Sequence, residues 1–370
     1  MNTTLQLLNA GQSVWYDNIQ RSLLNNGALA GMIERGEIFG VTSNPTIFMN
    51  AITKSQDYDQ SLLPLAGSSL SNEEIFFKLA IEDIQAATDL FKPLYQKTQG
   101  GDGYVSLEVS PFLANDTAGT LAQARDLWQR VNRPNLMIKI PATKAGLPAI
   151  RAAIADGINV NVTLIFSLER YGEVMEAYLQ GLEDRAAQGL PINSIASVAS
   201  FFVSRVDSNI DPRLQKLAAA GETRAEALLG KAAIANARLA YAAYKQVFFS
   251  ERFDRLKTKG ARVQRPLWAS TSTKNPAYRD VMYVEELVGP DTVDTVPPQT
   301  LVAFLDHGQV RQSLEENLAG AKQALAGLET LGISMDQVTA QLEDEGVKSF
   351  SEAFVVLLEA VDKRRKAAVS

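Results

Sequence analysis

The chain has 370 residues, 46% of them apolar, and a formal net charge of −6, which is material for one large α/β domain or two ordinary ones. It contains no cysteine and one histidine. This excludes disulfides, thiolate catalysis and cysteine- or multi-histidine-bound metals, and leaves proton transfer to carboxylates, lysine or tyrosine.

Short apolar runs alternate with longer helical patterns, the order that gives parallel βα units. The predicted strands cover residues 14–17, 40–44, 104–109, 136–140, 160–164, 194–202, 266–270 and 292–296. Between them stand helix signals such as Ser71-Asn72-Glu73-Glu74, a capping box that opens a helix toward Leu94, and Ala149 to Ala155, which stops at Gly157. Gly100-Gly101-Asp102-Gly103 precedes a strand and reads as a turn rather than a phosphate loop. Eight strands each followed by helix predict an α/β TIM (β/α)8 barrel with additional helices. Two stretches exceed a minimal barrel: an alanine-rich helical insertion at about 211–260 and further helices at about 309–370. With no low-complexity linker and no solenoid repeat, both are expected to pack on the barrel within a single domain covering 1–370. The run Lys363-Arg364-Arg365-Lys366 is read as a solvated helix end. His307 is read as a surface or helix-start histidine.

The amino terminus lacks the basic start and apolar core of a signal peptide, and no stretch approaches the length of a membrane span. The expectation is a cytoplasmic protein without a membrane partner. The acidic balance, with no basic stripe, argues against nucleic acid. Self-association into a homo-oligomer stays open, because an exposed helical face serves either a subunit contact or a cover for the barrel.

Lys139 is the only charge in Leu136-Met137-Ile138-Lys139-Ile140-Pro141, a run that otherwise reads as a strand buried on both faces. Burial disfavours the ammonium form, and a neutral amine can attack a carbonyl to form a Schiff base. The competing reading is a structural lysine paired with a carboxylate. Strand parity weighs between them. If Val105, Leu107 and Val109, Leu136, Ile138 and Ile140, and Val160, Val162 and Leu164 face the outer helices, then Asp17, Glu108, Lys139, Asn161 and Thr163 point into one barrel. All lie toward the carboxyl ends of their strands, where barrel active sites are built. Five converging polar groups that include a lysine and two carboxylates favour the Schiff-base reading. By the same parity Trp15 points inward, either walling the site or filling the lower barrel.

The chain also resembles a known family. Gly40 to Thr46 (GVTSNPT), Val105 to Pro111 (VSLEVSP), Ile138 to Thr143 (IKIPAT), Gly157 to Leu164 (GINVNVTL) and Ser200 to Asp207 (SFFVSRVD) are similar to transaldolase signatures, in the family's order. The length and extra helices resemble the family's longer bacterial branch. The resemblance implies a reaction with no cofactor and no metal, in which a lysine takes a ketose phosphate as an iminium ion and breaks the C3–C4 bond. The dihydroxyacetone unit then passes from sedoheptulose 7-phosphate to glyceraldehyde 3-phosphate, giving erythrose 4-phosphate and fructose 6-phosphate in the non-oxidative pentose phosphate pathway.

The implied roles are these. Lys139 forms the Schiff base, Asp17 moves the proton of the cleaved hydroxyl, and Glu108 with Thr163 holds a catalytic water. Asn44 and Asn161 bind substrate hydroxyls, although Asn44 before Pro45 also reads as a helix cap and Asn161 as a bonded core amide. Ser200 and Phe202 line the pocket. Arg205 binds phosphate, against the alternative of a local pair with Asp207. Ser270 is a second phosphate contact. Shorter members carry an arginine soon after that serine, whereas this chain has Ser270-Thr271-Ser272-Thr273-Lys274-Asn275, so Lys274 is the candidate second cation. Two rivals are an aldolase of the same superfamily, against which Glu108 argues, and a sugar-phosphate binding protein without chemistry. The intact set Asp17, Glu108 and Lys139 argues against the latter.

Overall fold

The computed structural model describes residues 2–368. Eight parallel strands close into a barrel in sequence order, with β8 returning to pair with β1. They are β1 (Gln12–Tyr16), β2 (Gly40–Val41), β3 (Val105–Glu108), β4 (Leu136–Pro141), β5 (Val160–Ile165), β6 (Ser197–Phe202), β7 (Gln264–Ala269) and β8 (Thr292–Val296). The crossovers are helices, among them Asn72–Lys97, Thr117–Val131, Gly146–Asp156 and Leu168–Ala187, whose apolar stripes pack on the sheet. The Ser71 cap and its reciprocal Glu74 bond open Asn72–Lys97, and Gly157, at φ 93°, stops Gly146–Asp156 in the left-handed region.

All eight predicted strands are present, with boundaries that differ where polar residues are buried in the strands. β1 starts two residues before Val14 because Gln12 and Ser13 are buried with partners: Gln12 donates to the Leu287 carbonyl at 2.6 Å and to Thr292 at 3.0 Å. β7 likewise reaches back to Gln264 and Arg265. β2 is two residues long rather than five, since Asn44 leaves the sheet to cap the helix Pro45–Lys54. The amino-terminal mouth is closed by a polar cluster. Buried Asp102 accepts from Ser13 and from Trp15 Nε1 at 2.7 Å, and Arg265 spans Ser13 and the Thr292 carbonyl at 2.8 and 2.6 Å. Trp15 therefore fills the lower barrel.

Beyond β6 the chain is helical at Ser204–Ala219, which runs through Asp211, then at Thr223–Glu226, Ala232–Phe248 and Glu251–Lys257. After β8 come Pro298–His307, Leu318–Thr330 and a long terminal helix, Met335–Ala368. One expectation is corrected here, and for His307 the surface alternative holds. Half of the basic run at 363–366 is not solvated: Arg364 pairs with Asp59 and donates to the Ser55 carbonyl, while Arg365 donates to the carbonyls of Ala66, Ser68 and Leu70. A planar five-donor fork suits such a row of carbonyls. His307 ends its helix rather than starting it, exposed and bonded through its two ring nitrogens to Asp306 and Asp280.

Candidate active site

Every residue of β4 is buried, and Lys139 is only 5% exposed. Strand register sets Glu108 beside Lys139 and Lys139 beside Asn161, so neighbouring strands carry these polar groups at one level of the barrel. Lys139 Nζ donates to the Ser43 carbonyl at 3.0 Å and lies 3.5 Å from Glu108 Oε2, an ion pair longer than a good hydrogen bond. Burial raises Glu108 to a pKa of about 7, against the charge of Lys139, which pulls it down; the Asp17 charge adds to the rise. Glu108 Oε2 and Thr163 Oγ1 are both buried without a hydrogen-bond partner.

Asp17 follows the last residue of β1, held by its own N–H to the Val296 carbonyl at 2.8 Å. It accepts from Thr42 at 2.7 Å, and Thr42 in turn contacts Thr295 at 2.5 Å. Burial raises the Asp17 pKa, opposed by the Lys139 charge and by the Thr42 bond. Two carboxylates thus flank one lysine, and burial raises the pKa of each.

Two strained residues stand at the rim. Leu164 has φ 62° beside Thr163, where the β5–β6 register shifts between Val162 and Ile165, and Ser270 has φ 57° just after β7. Left-handed geometry at a non-glycine residue costs on the order of 1–2 kcal/mol and is tolerated where the surroundings impose it. Ser270 bonds Ser204 at 3.0 Å at the start of the helix that carries Arg205.

Arg205 makes no ion pair among the described residues; its guanidinium sits over the Phe202 ring, 5.4 Å from the centroid. The alternative pairing with Asp207 does not occur, because Asp207 accepts from the Ala233 N–H at 2.8 Å and from Tyr283 at 2.9 Å. Burial lowers the Arg205 pKa, and Lys274 is lowered by burial and by the Arg205 charge. Lys274 Nζ donates to Ser272 at 2.5 Å. Two cations that repel each other, with no carboxylate bonded to either, face one cavity, and such a pair suits an anion.

A cavity of about 330 Å³ brings together Asp17, Asn44, Lys139 and Thr163 with Ser200, Phe202, Arg205, Ser270 and Lys274. Asn44 also caps its helix, accepting from Ile47 N–H at 3.0 Å. Two of the expected residues stand behind this wall. Glu108 borders a separate small gap next to Phe354. Asn161, fully buried, donates to Ser106 at 3.0 Å and accepts from Ser200 at 2.7 Å. The structure adds groups that sequence reasoning did not single out: the Ser43 carbonyl on Lys139, the Thr42–Thr295 pair on Asp17, and Phe350 from the terminal helix. Thr42 and Ser43 lie inside the motif at 40–46, so their signal was available. Phe350 carried none. A second cavity, about 400 Å³ around Trp15, Asp102 and Arg265, lies at the opposite mouth, away from the lysine.

The sequence profile of the transaldolase/fructose-6-phosphate aldolase family matches residues 14–361. The chain belongs to this family. Among curated relatives, Transaldolase 1 of Streptomyces avermitilis is 52% identical over 357 residues, covering 96% of this chain and 94% of that protein. Transaldolase of Thermobifida fusca is also 52% identical, covering 96% of each chain, and Transaldolase of Trichodesmium erythraeum is 46% identical, covering 99% and 98%. The transaldolase/fructose-6-phosphate aldolase family thus accounts for the barrel and for almost the whole length, terminal helix included.

Proposed function

We infer that the chain carries out the transaldolase reaction, moving a dihydroxyacetone unit from sedoheptulose 7-phosphate to glyceraldehyde 3-phosphate through a lysine Schiff base. The products are erythrose 4-phosphate and fructose 6-phosphate. The observation that carries the assignment of roles is a buried lysine between two carboxylates, in a cavity whose far side holds two cations without carboxylate partners.

Lys139 attacks the ketose C2 carbonyl, and Glu108 takes the ammonium proton that must leave first. The resulting carbinolamine loses water, and the unpartnered oxygens of Glu108 and Thr163 suit the seating of that water. The iminium ion then accepts the electron pair of the C3–C4 bond while Asp17 takes the C4 hydroxyl proton, so an aldose phosphate leaves and an enamine stays on Lys139. The acceptor reverses these steps, with Asp17 returning the proton. Arg205, Ser270 and Lys274 hold the phosphate, the guanidinium offering paired donors and the ammonium a point charge. Asn44, Ser200 and, through Ser200, Asn161 orient hydroxyls of the dihydroxyacetone unit. We take the chain as one barrel domain, since the terminal helix supplies a side chain to the site cavity. We assign it to the cytoplasm, where phosphorylated sugars are held because their charge bars them from crossing membranes; among the described residues no helix is long and apolar enough to span one.

Incubation with fructose 6-phosphate followed by borohydride reduction is expected to leave a dihydroxyacetone-derived mass increment on Lys139, located by peptide mass spectrometry. Absence of the increment from folded protein would overturn the reading. The pH dependence is a second test. Below its pKa of about 7 Glu108 is protonated and cannot accept the proton, so kcat/KM is expected to rise with pH through that value. Glu108→Gln is expected to abolish that rise and lower kcat by roughly 10²-fold. A rise that persists in the variant would assign the titration to another group.

A further inference from the structure

We propose that the terminal helix Met335–Ala368 seals the covalent intermediate against bulk water, with Phe350 as the positioning residue that decides between transfer to a sugar and hydrolysis. This rests on the Schiff-base reading above. Phe350, 5% exposed, lines the cavity that holds Lys139. One turn later on the same helix, Phe354 borders the gap beside Glu108 and packs on Phe76, Phe77 and Phe112 at centroid distances of 5.4, 6.3 and 5.3 Å. Residues four apart share a helix face, so one face of this helix sets a ring on the Lys139 cavity and another on the gap beside Glu108.

The helix is fixed where it lies. Its carboxyl end is held by Arg364 and Arg365, and its first half by Arg213 to Gln341 at 2.9 Å and the Arg170–Glu343 pair at 3.7 Å. Its seat is Gly346, where a Cβ would come within 2.9 Å of a Leu164 methyl. Leu164 is the strained residue beside Thr163. The side chain of the residue next to Thr163 therefore receives the helix, which places Phe350 one turn further on.

The chemistry gives that placement a consequence. The enamine left on Lys139 has two fates. With an aldose it forms a carbon–carbon bond, the aldehyde oxygen takes a proton, and the product iminium ion is released when the water seated by Glu108 and Thr163 adds to C2 and the C–N bond breaks. Protonated at carbon instead, it becomes an iminium ion; water adds to C2, the C–N bond breaks, and free dihydroxyacetone leaves the regenerated amine. Hydrolysis needs a proton at the enamine carbon and a water at C2, and bulk water supplies both, so an enzyme that transfers must keep all but its bound water from the enamine. An apolar ring offers that water no hydrogen bond and makes its entry costly.

The test uses the full-length protein with fructose 6-phosphate as donor and erythrose 4-phosphate as acceptor, and reads the ratio of free dihydroxyacetone to sedoheptulose 7-phosphate. Phe350→Ala is expected to raise the ratio about tenfold. Phe350→Met, apolar and of similar volume, is expected to stay close to the native ratio. Borohydride labelling of Lys139 and a thermal melt accompany each variant. An unchanged ratio in a Phe350→Ala protein that still labels overturns the seal. If that variant does not fold, Phe350→Leu decides, with a smaller rise expected and an unchanged ratio again overturning the proposal. Failure of native protein to label would instead overturn the Schiff-base reading beneath it.

Discussion

Lys139→Met is expected to lower kcat by at least roughly 10⁴-fold, because it removes the amine that supplies the covalent electron sink on which carbon–carbon cleavage depends, and the cavity's other amine, Lys274, is on the Arg205 side. The fold should survive. The replacement keeps an unbranched apolar stem in a strand that is otherwise buried, and the lost bond to the Ser43 carbonyl costs about 1 kcal/mol. Glu108 would lose its partner, but burial already holds its pKa near 7, and removal of the lysine pushes it further toward the neutral acid, which is cheap to bury. Steady-state kinetics and a circular-dichroism melt on one preparation check both halves. Activity within tenfold of native would place the covalent step elsewhere.

Arg205→Ala is the second large effect. The guanidinium has no carboxylate partner and rests on Phe202, so its removal breaks no ion pair of the fold and relieves repulsion on Lys274. A charge-assisted contact contributes about 1.5–3 kcal/mol, so kcat/KM for phosphorylated substrates is expected to fall roughly 10- to 150-fold, chiefly through KM. Unphosphorylated fructose, a poor donor for the native protein, should be used no worse. An unchanged KM for the phosphorylated donor would move the phosphate site away from Arg205. An equal loss for both donors would make the residue structural.

Much of this site was legible because it lies in strands. Side chains alternate by face along a strand, so Glu108, Lys139 and Thr163 could be assigned to the interior from the apolar residues between them, and the register bears out that Glu108 and Lys139 are neighbours. Parity does not say which inward group touches open space. Asn161 has the right parity, yet its amide is spent on Ser106 and Ser200 behind the wall. Polarity also misled at the lower barrel, where Ser13 and Arg265 meet at the inner face and Gln12, on the opposite face of β1, is buried against the Leu287 carbonyl. Their partners come from distant elements, so nothing local marked them as strand residues.

Local pattern thus determined the class of fold, the number of strands and the place of a buried lysine among inward polar groups, since periodicity and a lone charge in an apolar run are properties of neighbouring residues. The tertiary structure decided what contacts between remote segments control. The basic run near the carboxyl end looked solvated until Arg364 and Arg365 met the carbonyls of the 55–70 segment. A local pair of Arg205 with Asp207, the alternative that sequence left open, is removed because Tyr283 and the Ala233 N–H claim the carboxylate. Phe350 reaches the cavity of Lys139 only because Gly346 lets its helix close on Leu164, and no periodicity within the terminal helix encodes which surface that helix will meet.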